Sequence, residues 1–228
     1  MLDLKQSTPR RSFLGGLLAG ATAIWMATIS SPISLLTKTK FRPEPSNDAG
    51  FESWLGNIKG KHRQLFDTPE SNGGFAFLWS RVFLMTNKQA GAADNDVTAV
   101  IVLRHEAVPF AMNHDLWAKY KFGETFKIND KVTNAPSVRN TFYQPKAGEL
   151  MLPDASIEEL MKSGVLIGVC DIALSVYSSM AAKNVNMDAA DCKKEWVAGL
   201  LPGIQVVPSG VLAVNRAQEH GCTYCFAG

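Results

Sequence analysis

The chain has 228 residues and a formal charge of +2, with 46% hydrophobic and 19% charged residues. This composition is that of an ordinary globular protein, and it excludes disordered, collagenous and coiled-coil proteins. The charge is nearly balanced and no segment is rich in Lys and Arg, so nucleic acid is not expected as a partner. The length that remains after an amino-terminal leader suits one domain.

The first 36 residues have the pattern of an export signal. Arg10 and Arg11 precede an apolar, Gly- and Ala-rich stretch at 14–29, and a charged region followed by an apolar one is typical of a signal peptide. The arginine pair resembles a twin-arginine (Tat) signal, which implies that the Tat translocase exports the folded protein to the periplasm. No clear cleavage site follows Ile29, so an uncleaved anchor that tethers the protein to the inner membrane is the alternative.

Residues 37–60 combine Pro, Gly and charged residues without hydrophobic periodicity, which predicts a linker. The domain is expected to occupy residues 61–228. Its predicted elements, in chain order, are a strand at 62–67, a helix from Phe75 to before Gly91, a strand at 97–103, a short helix between Ser156 and Gly164, a strand at 165–170, helices around 173–180 and 196–200, a strand at 204–207, a helix after Ser209 and a strand at 222–226.

The alternation of strands and helices predicts an α/β fold, with an open, mostly parallel sheet of about five strands and helices on both faces. Residues 119–152 are polar and irregular, contain Pro136 and Pro145, and are long for a connection. We expect them to be an inserted loop that serves as a lid or a subunit contact.

The predicted sheet defines where a site should lie. Ligands bind beyond the carboxyl ends of the strands in open α/β sheets. These ends carry Asp67, Arg104 with His105, Cys170 and Ser209. Residues that are far apart in the sequence are therefore expected to meet at one edge of the sheet.

Two segments carry a resemblance to a known family: Gly-Val-Leu-Ile-Gly-Val-Cys at 164–170 and Leu-Leu-Pro-Gly-Ile-Gln-Val-Val-Pro-Ser-Gly-Val at 200–211. Together with residues 103–113 they resemble the DsrE/DsrF-like family. The resemblance implies a small flavodoxin-like α/β domain that assembles as trimers or hexamers and carries sulfur as a cysteine persulfide, with Cys170 at the position of that cysteine. The insertion and the export signal depart from the cytoplasmic sulfur carriers of the family.

Cys170 is the candidate nucleophile. It ends a predicted strand and precedes a helix, where backbone N–H groups and the helix dipole favour a thiolate. The adjacent carboxylate of Asp171 opposes this effect. The alternative is that Cys170 is a small, buried apolar residue.

Six residues are candidates for binding a small sulfur species or another small anion. Arg104 and His105 are predicted to contact the anion, and His105 also suits proton transfer near neutral pH. Asn113 is expected to start a helix that directs Trp117 into the pocket, and Asp67 and Ser209 complete the strand ends. In each case the alternative is structural: satisfied polar groups at the sheet edge, a tryptophan in the core, and a helix cap at Ser209.

Cys222 and Cys225 form the most conspicuous local pattern, which in an oxidising compartment is compatible with a disulfide or a metal. Residues three apart in a strand point to opposite faces of the sheet, which argues against both. Cys192 lies far off in a predicted helix, so a zinc site lacks ligands. We therefore predict no metal and no cofactor.

Three hypotheses follow. In the first, the exported protein binds or relays sulfane sulfur as a persulfide on Cys170, with Arg104 and His105 stabilising the anion. In the second, it is a non-catalytic, oligomeric module that binds a small ligand in the periplasm, and Cys170 is structural. In the third, Cys222 and Cys225 act as a thiol redox pair.

Overall fold

The structure is a computed structural model that describes residues 48–228. The predicted signal at 1–36 and the first part of the predicted linker lie outside the described residues. Within the described range, none of the helices has the length and apolar character needed to cross a membrane.

Five strands form one sheet in the order β4-β3-β2-β1-β5, and every neighbouring pair is parallel. The strands are β1 His62–Thr68, β2 Val97–Leu103, β3 Leu166–Cys170, β4 Gln205–Val207 and β5 Thr223–Phe226. The predicted α/β fold is confirmed, and the sheet of the described domain is parallel throughout. The arrangement is flavodoxin-like.

Eight α-helices accompany the strands in the described part of the chain. They are α1 Asp48–Leu55, α2 Phe75–Gln89, α3 His114–Tyr120, α4 Phe122–Thr125, α5 Ile157–Lys162, α6 Asp171–Asn184, α7 Ala189–Ala198 and α8 Gly210–Glu219. A 3₁₀-helix, His105–Ala111, follows β2. Side-chain caps predicted from the sequence are present at Ser156 and Ser209, whose hydroxyl oxygens accept the N–H groups of Glu159 and Leu212.

Alternate residues of the central strands enter two different apolar clusters. Val100 and Val102 of β2 pack in the cluster that includes residues of α1 and α8, whereas Ile101 and Leu103 pack in the cluster on the side of α2 and α6. This is why the sequence of β2 is apolar without interruption: a parallel strand in the centre of such a sheet is covered on both faces.

Residues 48–60 differ from the expected linker, because they begin the domain. Phe51, Trp54, Leu55 and Ile58 are all buried against the sheet. Their spacing of three, four and seven residues is that of an amphipathic helix, a signal that the neighbouring Pro and Gly residues obscured. The folded domain therefore starts before residue 61.

The insertion at 119–152 is packed onto the domain. Arg139 Nη1 lies 2.7 Å from Glu149 Oε2, and the Glu149 side chain is only 5% exposed. The fully buried Asn140 donates to the carbonyls of Phe110 (2.8 Å) and Met112 (3.0 Å). A charged pair and an amide held in this way fix the insertion against the segment that follows β2.

Trp54 of α1 lies over Gly168 of β3, where even a methyl side chain would be crowded. A Cβ atom at Gly168 would stand 3.0 Å from Val207 Cγ1 and 3.1 Å from the Trp54 ring. We expect Gly168→Ala to lower the free energy of unfolding by about 1–3 kcal/mol, because overpacking a dense core forces its neighbours to shift. Urea denaturation measures the change.

Gly56→Ala is the matched control. A Cβ atom there would meet only backbone oxygens at 3.4 Å, so we expect a change within about 0.5 kcal/mol. Equal effects of the two substitutions would contradict the proposed docking of α1 on β3.

Candidate functional site

The carboxyl ends of the strands bring together four of the residues singled out in the sequence. Asp67 is the last residue but one of β1, Arg104 follows β2, Cys170 ends β3, and Ser209 follows β4 by two residues. The backbone N–H of Arg104 donates to the carbonyl of Thr68 (3.0 Å), which continues the sheet pairing to this edge. We call this group, with Tyr224 and Gly210, the strand-end site.

Asp67 is the centre of a hydrogen-bonded group. Its side chain is 3% exposed and accepts two bonds from Arg104, Nε to Oδ1 at 2.7 Å and Nη2 to Oδ2 at 2.9 Å. The Tyr224 hydroxyl, on β5, donates to the same Oδ2 at 2.8 Å. A carboxylate removed from water needs such donors, because burying an unpaired charge costs several kcal/mol.

Arg104 is therefore already paired, although the sequence predicted it to bind the anion of a ligand. The hydrogen bond to Asp67 is the main reason why the pKa of Arg104 is raised, against the effect of burial, and Tyr224 and Cys170 contribute further. The guanidinium keeps its charge, but Asp67 balances that charge. Arg104 holds the sheet edge together and lies within electrostatic range of the Cys170 sulfur.

Cys170 lies where two helices begin. Its Sγ accepts the N–H of Ala173 at 3.3 Å, which makes Cys170 the N-cap of α6, and the backbone N–H groups of Ile172 and Gly210 also act to lower the pKa of its thiol. The residue is 6% exposed. Burial raises the pKa of the thiol, and the three backbone donors partly offset that rise.

The carboxylate of Asp171 is neutralised by a neighbour that the sequence did not indicate. Lys193 of α7 places its Nζ 2.8 Å from Asp171 Oδ1. The negative charge next to Cys170 is thus compensated, and Asp171 is the smaller of the two contributions that raise the pKa of the thiol, after burial. The ion pair between Lys193 and Asp171 forms because α6 and α7 are in contact, so no local sequence pattern predicts it.

Gly210, the first residue of α8, permits the close approach of Arg104. A Cβ atom at this position would lie 2.5 Å from Arg104 Cβ and 2.7 Å from Arg104 Cδ. The side chain of Arg104 thus passes over the start of α8, next to one of the three donors to Cys170. Any larger residue at 210 would displace it.

His105 has an exposed side chain and a backbone φ of 50°. Its ring packs edge-on against Tyr177 of α6, with 5.8 Å between ring centroids. It lies at the expected edge of the sheet, next to Arg104 in the chain. The ring contact described for His105 is thus with Tyr177 and not with Cys170 or Asp67.

Asn113 and Trp117 stabilise the fold, one as a helix cap and the other as part of the core. The Asn113 side chain accepts the N–H of Leu116 at 3.0 Å and so caps α3, as predicted. Trp117 is fully buried and donates its indole N–H to the Pro109 carbonyl at 2.8 Å. Trp117 thus belongs to the core and does not line an open pocket. Ser209 caps α8 and stands at the edge of the strand-end site.

The four cysteines of the chain are free thiols. Cys222 packs in the cluster of α1 and α8, and Cys225 packs against the opposite cluster, so the two side chains diverge as the strand geometry predicted. Burial raises the pKa of Cys222 to about 11. No group of three or more His, Cys, Asp or Glu residues within 48–228 has the geometry to hold a metal ion.

The sequence did not indicate Tyr224 or Gly210 as residues of the site. Tyr224 belongs to the last strand, and its role depends on β5 pairing with β1, where Leu65 opposes Tyr224 and Asp67 opposes Phe226. A single sequence contains no signal for that pairing. Gly210 follows a predicted helix cap, a position at which glycine is unremarkable.

Comparison with known proteins adds no assignment. No protein-family model matches the chain, and no curated protein matches it.

Asp67→Ala tests whether the buried carboxylate holds the strand-end site together. We expect it to lower the free energy of unfolding by about 2–3 kcal/mol, because it leaves the guanidinium of Arg104 partly buried without its partner. Tyr224→Phe removes one hydrogen bond and should cost about 1 kcal/mol. Chemical denaturation at pH 7 measures both.

Lys61→Ala is the control for these variants, since it breaks an exposed pair with Asp96 in which the lysine side chain is 76% exposed. Such pairs contribute about 0–1 kcal/mol. An effect of Asp67→Ala no larger than that of the control would contradict the role assigned to Asp67.

The raised pKa of Cys170 predicts slow alkylation at neutral pH. A free thiol has a pKa of about 8.5, so the rate of iodoacetamide modification at Cys170 should keep rising at pH values where the rate for glutathione has levelled off. Peptide mass spectrometry reports each cysteine separately. A rate at Cys170 that is already constant at pH 7 would show a depressed pKa and contradict the dominance of burial.

Proposed function

We propose that the protein takes up sulfane sulfur on Cys170 as a persulfide and passes it to an acceptor thiol outside the cytoplasm. The observation that carries the proposal is the setting of the Cys170 Sγ, which accepts the N–H of Ala173 at 3.3 Å at the start of α6 and lies near enough to the backbone N–H of Gly210, at the start of α8, for that group to lower the pKa of the thiol. Donors directed at one sulfur from two helices stabilise a negative charge on it, which is the form that attacks and leaves in sulfur transfer.

The transfer is an exchange of one S–S bond for another. The Cys170 thiolate attacks the terminal sulfur of a donor R–S–SH, a Cys170–S–SH forms, and the donor leaves as the thiolate R–S⁻. No electrons are gained or lost overall, and the proton stays on the terminal sulfur. The reverse exchange with an acceptor thiolate unloads Cys170.

Arg104 and Asp67 act as positioning residues in this proposal. Arg104 lies over Gly210, one of the donors to Cys170, and Asp67 holds Arg104 through two hydrogen bonds. The exposed His105, beside Arg104 in the chain, is available to exchange protons with a donor or acceptor that approaches this edge.

Sequence resemblance supports the same proposal. The segments at 164–170 and 200–211 that resemble the DsrE/DsrF-like family form β3 with Cys170 and the passage through β4 into α8. The resemblance adds assembly as a trimer or hexamer, and the arginine pair near the amino terminus adds export to the periplasm through the Tat translocase, either released or tethered to the inner membrane.

A second candidate function is a non-catalytic binding module in which Cys170 is structural. The observation that favours it is burial: Cys170 is 6% exposed and its pKa is raised. In that case the sulfur serves only as the cap of α6, and a small ligand binds at the strand ends without reacting with Cys170.

Intact-mass spectrometry of the reduced full chain, before and after treatment with polysulfide, separates the two functions. We expect the wild type to gain about 32 Da per sulfur atom added to a cysteine, and Cys170→Ala to lose the first addition. The mass of the cysteine-containing peptides locates the sulfur.

Cys225→Ala is the matched control, because Cys225 is a more exposed free thiol at the edge strand. It should retain the addition at Cys170. If Cys170→Ala and the wild type gain the same mass, Cys170 is not the acceptor, and the binding module becomes the better description.

A further inference from the structure

An apolar cavity of about 290 Å³ opens beside the amino end of α2. One wall is the first turn of α2, with Phe75 and Leu78, and the facing wall is the insertion, with Phe142 and the run Leu150, Met151 and Leu152. The cavity is separate from Cys170, which does not line it. Its volume is at the lower end of the range for small-molecule sites.

At one end of the cavity lies a positive charge that no described carboxylate compensates, the ammonium group of Lys131. Two ionic side chains line the cavity, Lys131 and Glu149. Glu149 is neutralised, because both of its carboxylate oxygens accept hydrogen bonds from Arg139 at 2.7–2.8 Å. Lys131 has no described ion pair or hydrogen bond, and its Nζ would lie 2.9 Å from a Cβ built on Gly73. The ammonium group therefore stands at the glycine end of the cavity.

The amino end of α2 adds to the positive potential there. This helix has 15 residues, and its N-cap is Gly74, so the first turn has no side-chain acceptor. Gly74 has this role because the Phe142 ring packs directly on it and leaves no room for a Cβ atom. The start of a long helix carries a partial positive charge, which here has the same sign as Lys131.

We propose that this cavity binds a small amphipathic anion, a monocarboxylate with an unbranched or aromatic apolar body. The body packs between Phe75, Leu78 and the run 150–152, and the carboxylate pairs with Lys131 at the end of α2. Charge complementarity selects the anion, since the lining residues that the structure describes offer one free cation and no free carboxylate. The insertion thus serves as the wall of a binding site.

Sodium octanoate is the probe. Titration of the ¹⁵N-labelled full chain, followed by NMR, should give saturable shifts that are largest at the amides of Gly73, Gly74 and Gly148, which line the cavity. 1-Octanol, with the same chain and no charge, should bind about tenfold more weakly, because it forms no ion pair. Cys170→Ala should leave octanoate binding unchanged, which separates this site from the proposed sulfur chemistry.

Two matched pairs of exposed substitutions test the charge and the apolar wall. Lys131→Glu should weaken octanoate binding about tenfold or more, whereas Lys127→Glu, in the same insertion but outside the cavity, should not. Met151→Glu, at a side chain that is 80% exposed at the mouth, should weaken binding, whereas Val138→Glu, 72% exposed and outside the cavity, should not.

Any of three results would overturn the proposal: shifts that never saturate, shifts spread over unrelated apolar surface, or equal losses within either matched pair. Octanol that binds as tightly as octanoate would also overturn the choice of an anion.

Discussion

A buried carboxylate determines the geometry of the carboxyl edge of the sheet. Asp67, on β1, accepts bonds from Arg104, which follows β2, and from Tyr224 on β5, so one side chain joins three adjacent strands. Because the carboxylate is removed from water, the loss of either partner would leave it with an unsatisfied buried charge, which is costly. Arg104 is thereby held over the start of α8, where it fixes the surroundings of Cys170. The surroundings of the cysteine thus depend on the ion pair between Asp67 and Arg104.

The environment of Cys170 is a balance between burial and hydrogen bonding. Burial favours the neutral thiol, and N–H groups from two helices favour the thiolate. Lys193 pairs with the neighbouring Asp171 and so partly compensates its negative charge. The raised pKa keeps this thiol protonated at neutral pH, and the proposed sulfur transfer would draw on the backbone N–H groups that already surround the sulfur.

The order of the strands and most of the helices were predictable from the sequence, because β2 and β3 are short, almost wholly apolar runs and the helix caps are local patterns. Apolar runs and cap residues are each recognised within a few neighbouring residues, as at β2 or at Ser209. The pairing of β5 with β1 and the ion pair between Asp171 and Lys193 arise from contacts distant in sequence, so the roles of Tyr224 and Lys193 could not be predicted.

Two predictions were wrong for local reasons. The sequence places Trp117 in a pocket, because a tryptophan in an amphipathic helix has the same spacing whether it faces a core or a pocket. Residues 48–60 were assigned to a linker because their turn-forming residues masked a short helical pattern.

The docking of α1 has a practical consequence for anyone who prepares the domain. A recombinant protein that starts at residue 61, the boundary that composition suggests, would lack Phe51, Trp54, Leu55 and Ile58 and would expose the face of β3 and β4 that they cover. Exposed apolar surface of this kind promotes self-association. Insolubility of such a protein would reflect the missing helix and would say nothing about the stability of the sheet.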